Sequence, residues 1–192
     1  YSYTDTVGQS GIESVFESTL RGKNGKESVT TDATGKVTGR ALRSECHGNP
    51  ALIHRSVHVI VLHPDGDKLL LQKRSMNKDI QPGKWDSAVG GHLACGENYE
   101  QAAVREMGEE LGLPSSLPLT HRFDMKIRNE IESENTRVFS TVCAGPFTIQ
   151  ESELDGIAFF TFDELRAKLR NGAVDFTPML CRELEQLFKI LE

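Results

Sequence analysis

Glu106, Glu109 and Glu110 are the residues of this chain whose spacing most clearly implies chemistry. On a helix turning about 100° per residue, Glu109 falls near −60° from Glu106 and Glu110 near +40°. Val104, Met107 and Leu111 fall on the opposite side. One face is therefore apolar and suited to packing on a sheet, and the other gathers three carboxylates. That arrangement works against the helix: like charges one turn apart cost ~0.2–0.5 kcal/mol per pair. Gly108 inside the same helix costs roughly 1 kcal/mol more than alanine would. A divalent cation would remove the repulsion, and hard oxygen donors suit Mg²⁺ or Mn²⁺. Arg105 lies near −100° on the same wheel, beside Glu109 and within reach of Glu97. It reads as a clamp that orients a carboxylate.

The elements that must position these residues follow from pattern. The acidic helix spans Tyr99–Leu111 and is stopped by Gly112 and Pro114. Before it, Lys36–Leu42, Ser56–Leu62, Lys68–Lys73 and Trp85–Val89 read as strands, the middle two as a hairpin across His63–Asp67. After it, Leu119–Lys126, Thr136–Cys143 and Ile157–Phe162 read as strands. Phe162–Leu169 reads as a helix, and a last helix starts at Thr177-Pro178, with Thr as N-cap and Pro in the first turn. Mixed strands and helices predict an α/β fold, a mixed sheet covered on both faces. Residues 1–32 are polar and Gly-punctuated and read as a weakly structured arm, with a short helix over Ile12–Leu20; residues 33–192 form the domain.

Two further groups bear on chemistry. Lys73, Arg74 and Lys84 lie close before the helix and could hold phosphates that a metal does not. Each is equally well an ordinary surface charge. Trp85 suits core packing as well as substrate stacking. The second group is His47, His54 and His92 with Glu132 and Glu134, which share one face in extended chain. Imidazole with carboxylate suits Mn²⁺, Zn²⁺ or Fe²⁺, although spacing alone is a weak signal.

The string GHLACGENYEQAAVREMGEELGL, residues 91–113, matches GX5EX7REUXEEXGU at every position, with U a bulky apolar residue. It resembles the Nudix box. The resemblance implies an α/β/α sandwich and catalysis with Mg²⁺ or Mn²⁺ on Glu106, Glu109 and Glu110. It also implies that Glu97 and Arg105 orient the site and that Gly91 gives the loop its turn. The flanks around His47–His92 look like the isopentenyl-diphosphate isomerase branch of the superfamily, which implies a metal on His47, His54, His92, Glu132 and Glu134. The isomerases carry a catalytic cysteine where this chain has Gly90, and Cys95 does not match that position. Residues 8–37 resemble a segment that precedes the transpeptidase domain in penicillin-binding proteins, but nothing of the catalytic transpeptidase is present. That stretch is read either as a coincidence of a Gly-rich pattern or as a junction of unrelated origin.

Composition narrows the class. At 192 residues with 38% hydrophobic content, one domain and one core are expected. A net charge of −6 argues against nucleic acid as main partner. Four widely spaced cysteines point to a reducing cytoplasm rather than a disulfide scaffold. No apolar run is long enough for a membrane helix, and no secretory signal is visible. The expected function is Mg²⁺-dependent hydrolysis of a diphosphate linkage in a nucleoside or other organic diphosphate. The alternatives are an isomerase of allylic diphosphates and a non-catalytic binding module on the same fold. A small-molecule diphosphate is the expected partner, and oligomeric state, a homodimer included, stays open.

Overall fold

The computed structural model describes residues 27–78, 80–152 and 154–191. The helix expected at Ile12–Leu20 lies outside them. The described strands are β1 (Glu27–Thr31), β2 (Val37–Leu42), β3 (Ile53–Leu62), β4 (Lys68–Arg74), β5 (Trp85–Ser87), β6 (Val89–His92), β7 (Thr120–Arg128), β8 (Ser133–Val142) and β9 (Leu154–Thr161). The helices are α1 (Arg43–Cys46), α2 (Tyr99–Leu111), α3 (Phe162–Arg170) and α4 (Pro178–Leu191).

β3 is the hub. Along one edge it pairs in parallel with β8, from Ile53↔Ser133 to Leu62↔Val142. Along the other it meets β1 at its start, β6 in its middle and β4 at its end. β7 is antiparallel to β8, and β4 carries β5 and β9 antiparallel. The sheet is therefore mixed. The hairpin expected from β3 and β4 is joined only at its closed end, Leu62↔Leu69. Beyond that point β4 pairs with β9 and β5 instead. The strand expected at Trp85–Val89 is two strands separated at Ala88, which lets β5 pair with β4 and β6 with β3. β1 falls within the stretch read as an arm. Its Ser28, Thr30 and Thr31 are buried although polar, so no apolar alternation marked them.

Two cores flank the sheet because β3 alternates. Val57, Val59 and Val61 face α2, joining Ala103, Met107 and Leu111. Ile60 faces the other side with Leu165 of α3 and Leu180, Leu184 and Leu187 of α4. Sheet with helices on both faces is the α/β/α sandwich the resemblance implies. α2 begins at Asn98, whose side chain accepts from Gln101 N at 2.8 Å, and ends at Gly112 with φ 65°. α4 begins at Thr177, whose hydroxyl accepts from Leu180 N at 3.1 Å.

Candidate functional site

Glu106, Glu109 and Glu110 of α2 line a single cavity of about 840 Å³ together with His58 and His92 of the sheet and His47 beyond α1. Arg105 is the hinge of the box side. Its Nε and Nη2 donate to Glu97 Oε1 and Oε2 at 2.8 and 2.9 Å, a bidentate pair. Nη1 donates to Glu106 Oε1 at 2.6 Å and reaches Glu109 Oε2 at 3.5 Å, and Nη2 also donates to the His92 carbonyl at 3.0 Å. These hydrogen bonds raise the Arg105 pKa further above an already high value. Glu97 Oε2 accepts in addition from Ala94 N at 2.9 Å, and Glu110 Oε2 accepts from Gly90 N at 3.3 Å. The loop between β6 and α2 is thus tied to the helix at both ends.

Gly91 is not a turn residue. It lies inside β6, and the left-handed glycine nearest it in the loop is Gly96, at φ 83°. What requires glycine is space: a Cβ at 91 would sit 2.1 Å from Glu106 Oε1. Along β6 the period of two puts Val89 and Gly91 toward α2, and Gly90 and His92 toward the opposite face.

On that opposite face three neighbouring strands bring His54, His92 and Glu134 together. Glu134 Oε1 lies 3.1 Å from His54 Nε2 and 2.8 Å from His92 Nε2, and the two nitrogens are 3.1 Å apart. His47, just past α1, joins His54 and His92 in a group of three imidazoles whose ligand atoms all lie within 4.8 Å of one another. His47 Nε2 is buried with no hydrogen-bond partner among the described residues. Burial, then the neighbouring His92 and Arg43, push the His47 pKa down to about 4, so it presents a neutral ring at pH 7. Burial would raise the Glu134 pKa, but the histidines hold it well below the usual carboxylate range. Glu132 lines the same cavity, its pKa raised by burial and by Glu134. Three imidazoles, an orphaned buried nitrogen and an ionised carboxylate fit a borderline divalent cation. Zn²⁺ or Mn²⁺ is expected to raise the thermal midpoint of metal-stripped protein by several degrees. His47→Ala should remove most of that shift, as differential scanning fluorimetry would record.

The basic residues are distributed otherwise than expected. Arg74 lines the cavity, but its guanidinium is engaged by Asp86 at 3.1 Å and by the Ile80 carbonyl at 2.8 and 3.2 Å. Lys73 and Lys84 are not among the cavity's lining residues. Gln72 and Arg74 are, so the two-residue period of β4 accounts for Lys73 pointing elsewhere, its Nζ 6.0 Å from the Trp85 ring centre. Trp85 packs edge-on against Phe160 at 5.0 Å, in the core beneath α3 and α4. The cavity's other cations are Arg43, Lys78 and Arg182, which no motif marked.

Sequence reading also missed His58, Ser87 and Glu183. His58 Nδ1 lies 2.6 Å from Glu183 Oε2, and Ser87 Oγ donates to Glu183 Oε1 at 2.8 Å. Glu183 is on α4, 125 residues from His58, and its register on that helix was the only hint. Burial would lower the His58 pKa, but the charge and hydrogen bond of Glu183, aided by Asp86 and Glu134, raise it to about 9. A His with a raised folded pKa contributes stability that is complete below its unfolded pKa of 6.5. That contribution is lost as pH rises toward about 9. The ring ¹⁵N signals of His58 are expected to titrate near that upper value; titration near 6.5 would show the pair is not an ion pair.

The NUDIX domain family model matches residues 52–180. The Penicillin-binding Protein dimerisation domain model matches residues 1–49, a span that reaches into β1 and β2 of the sheet. An uncharacterised Nudix hydrolase of Yersinia pestis is 35% identical over 147 residues, 77% of each chain. An isopentenyl-diphosphate Delta-isomerase of Corynebacterium diphtheriae is 27% identical over 166 residues, 82% of this chain and 90% of that one. The crystal structure of DR0079 from Deinococcus radiodurans superposes with a TM-score of 0.70 at 23% identity, over 84% of this chain and 98% of that chain, a likeness of fold. This chain belongs to the Nudix hydrolase family.

Proposed function

We propose that the protein is a Mg²⁺-dependent hydrolase that cleaves the diphosphate linkage of a nucleoside or other organic diphosphate in the cytoplasm. The observation that supports this reading is the convergence of Glu106, Glu109 and Glu110 on one cavity, with Glu106 held by Arg105. These oxygens are the donor set that would hold Mg²⁺ or Mn²⁺, which when bound supplies Lewis acidity at phosphorus and a more acidic water. Arg105 fixes the direction of Glu106, and Glu97 fixes Arg105. Glu110 braces the glycine pair of β6 through Gly90 N. One of the three glutamates serves as the base that takes a proton from the attacking water.

A second reading, isomerisation of an allylic diphosphate, is favoured by the His/Glu cluster and by the Corynebacterium relative. Gly90 counts against it, because none of the four cysteines is among the described residues that line the cavity. A panel of nucleotide sugars, dinucleotides, nucleoside triphosphates and isoprenoid diphosphates, assayed with Mg²⁺ or Mn²⁺, separates the readings. Hydrolysis that falls roughly a hundred- to a thousandfold in Glu110→Gln is the expected result. Conversion of isopentenyl to dimethylallyl diphosphate with no phosphate-ester product would transfer the assignment to the isomerase. Binding without any turnover would leave a binding module.

A further inference from the structure

The His58–Glu183–Ser87 group belongs to neither carboxylate helix nor metal-ligand cluster. His58 is 9% exposed and Glu183 is 1% exposed. Nδ1 of the imidazole is taken by Glu183, with Ser87 Oγ 3.4 Å away. Ser87 also occupies the other oxygen of Glu183, so the carboxylate is fixed on both sides. The opposite edge of the ring faces Gly90: a Cβ placed there would lie 3.3 Å from His58 Cδ2 and 3.4 Å from Nε2. His58, Ser87 and Gly90 all line the 840 Å³ cavity. Nε2 makes no hydrogen bond among the described residues, and the ring lines the cavity with its side chain 11% exposed. A donor that faces a cavity without a protein partner is left to bond a ligand or water.

We propose that His58 Nε2–H, held in place by Glu183 and uncovered by Gly90, is a binding site for an anionic oxygen of the substrate, a phosphate oxygen not held at the α2 carboxylates. Glu183 accepts from Nδ1–H and raises the ring pKa to about 9, so at pH 7 the imidazole is a cation and its cavity edge is a donor. Such a charged donor selects anionic acceptors over neutral ones. Arg182, the residue before Glu183 on α4, lines the same cavity and adds positive charge to that wall. Ser87 and Glu183 touch His58 and not the ligand, so they act as positioning residues. The glycine at 90 gains a second meaning: it leaves the imidazole edge open to the cavity. The cavity is thereby lined both by carboxylates that would hold a cation and by a protonated imidazole. A substrate bearing at least two separately held anionic oxygens fits it. This rests on the hydrolase reading only in taking the cavity to receive a phosphate-bearing ligand.

The test uses methylenediphosphonate, a diphosphate mimic with no cleavable anhydride, titrated into the full chain with Mg²⁺. In wild-type protein labelled with ¹⁵N-histidine, the His58 Nε2–H signal is expected to shift with saturation. His58→Asn should weaken calorimetric affinity by roughly ten- to a hundredfold, the range of a charged hydrogen bond. Glu183→Gln should weaken it less and bring the His58 titration down toward 6.5. Gly90→Ala, which covers the ring edge, should weaken it without altering that titration. Binding that leaves the His58 signal unmoved, or that is equal in folded His58→Asn, overturns the proposal. If His58→Asn does not fold, the wild-type signal and Gly90→Ala decide. A moved signal in a protein with no turnover on the substrate panel would sustain the anion site while refuting the hydrolase. Turnover lost in Glu110→Gln beside an unmoved signal would do the reverse.

Discussion

Gly91→Ala is expected to lower turnover roughly a hundredfold, the scale of a ~1 Å misplacement of a reacting group. The added methyl would lie 2.1 Å from Glu106 Oε1, 2.2 Å from Cδ and 2.7 Å from Cγ. A glutamate tip can normally swing aside at little cost. Glu106 cannot, because its oxygen is bonded to Arg105 at 2.6 Å and the residue is 9% exposed. The methyl must therefore displace either the carboxylate or the β6 strand that carries Gly90 and His92. Steady-state kinetics on whichever substrate the panel yields, beside a thermal melt, would check this. A drop in kcat with a nearly unchanged melt is the expected pair. Wild-type kcat would mean that the position of Glu106 is not needed for the reaction.

Arg105→Leu should act on stability as much as on rate. The guanidinium bonds Glu97, Glu106 and the His92 carbonyl at 2.6 to 3.0 Å, and its side chain is 26% exposed. Removing it takes a shared cation from two carboxylates that are 14% and 12% exposed. Breaking one side of a buried pair costs about 3–5 kcal/mol, and partial exposure here places the loss near the lower end. Arg105→Lys should recover only part of it, because an ammonium cannot make the bidentate contact to Glu97. Urea unfolding of both variants measures the effect. A loss below roughly 0.5 kcal/mol in Arg105→Leu would show that the clamp is surface decoration.

The acidic helix was legible because its information is local. Seven-residue and three-residue spacings fix which side chains share a helical face, and Asn98 and Gly112 mark its ends. The resemblance to the Nudix box rested on the same 23 residues, 91–113, and the flanks around His47–His92 carried the likeness to the isomerase branch. The five-residue His/Glu set was named from a resemblance and not from spacing. The structure places three of its members, His54, His92 and Glu134, within 3.1 Å of one another on β3, β6 and β8. Sequence order could not show that contact, since it depends on parallel pairing of strands 80 residues apart.

Other features were decided only by tertiary structure, and for one reason: a strand's composition does not say which neighbour it will pair with. Lys73 and Arg74 are adjacent basic residues, yet the pleat of β4 sends only Arg74 to the cavity. β4 leaves β3 after a single paired position because β9 and β5 occupy its edges. β1 joined the sheet despite its polar face because hydrogen bonding with β2 and β3 satisfies its backbone. The His58–Glu183 pair arises because α4 folds back over the face of β3 that carries His54, Ser56 and His58. The residues of the box were determined by the sequence alone. What stands opposite them in the cavity was determined by how the sheet and the last helix close around it.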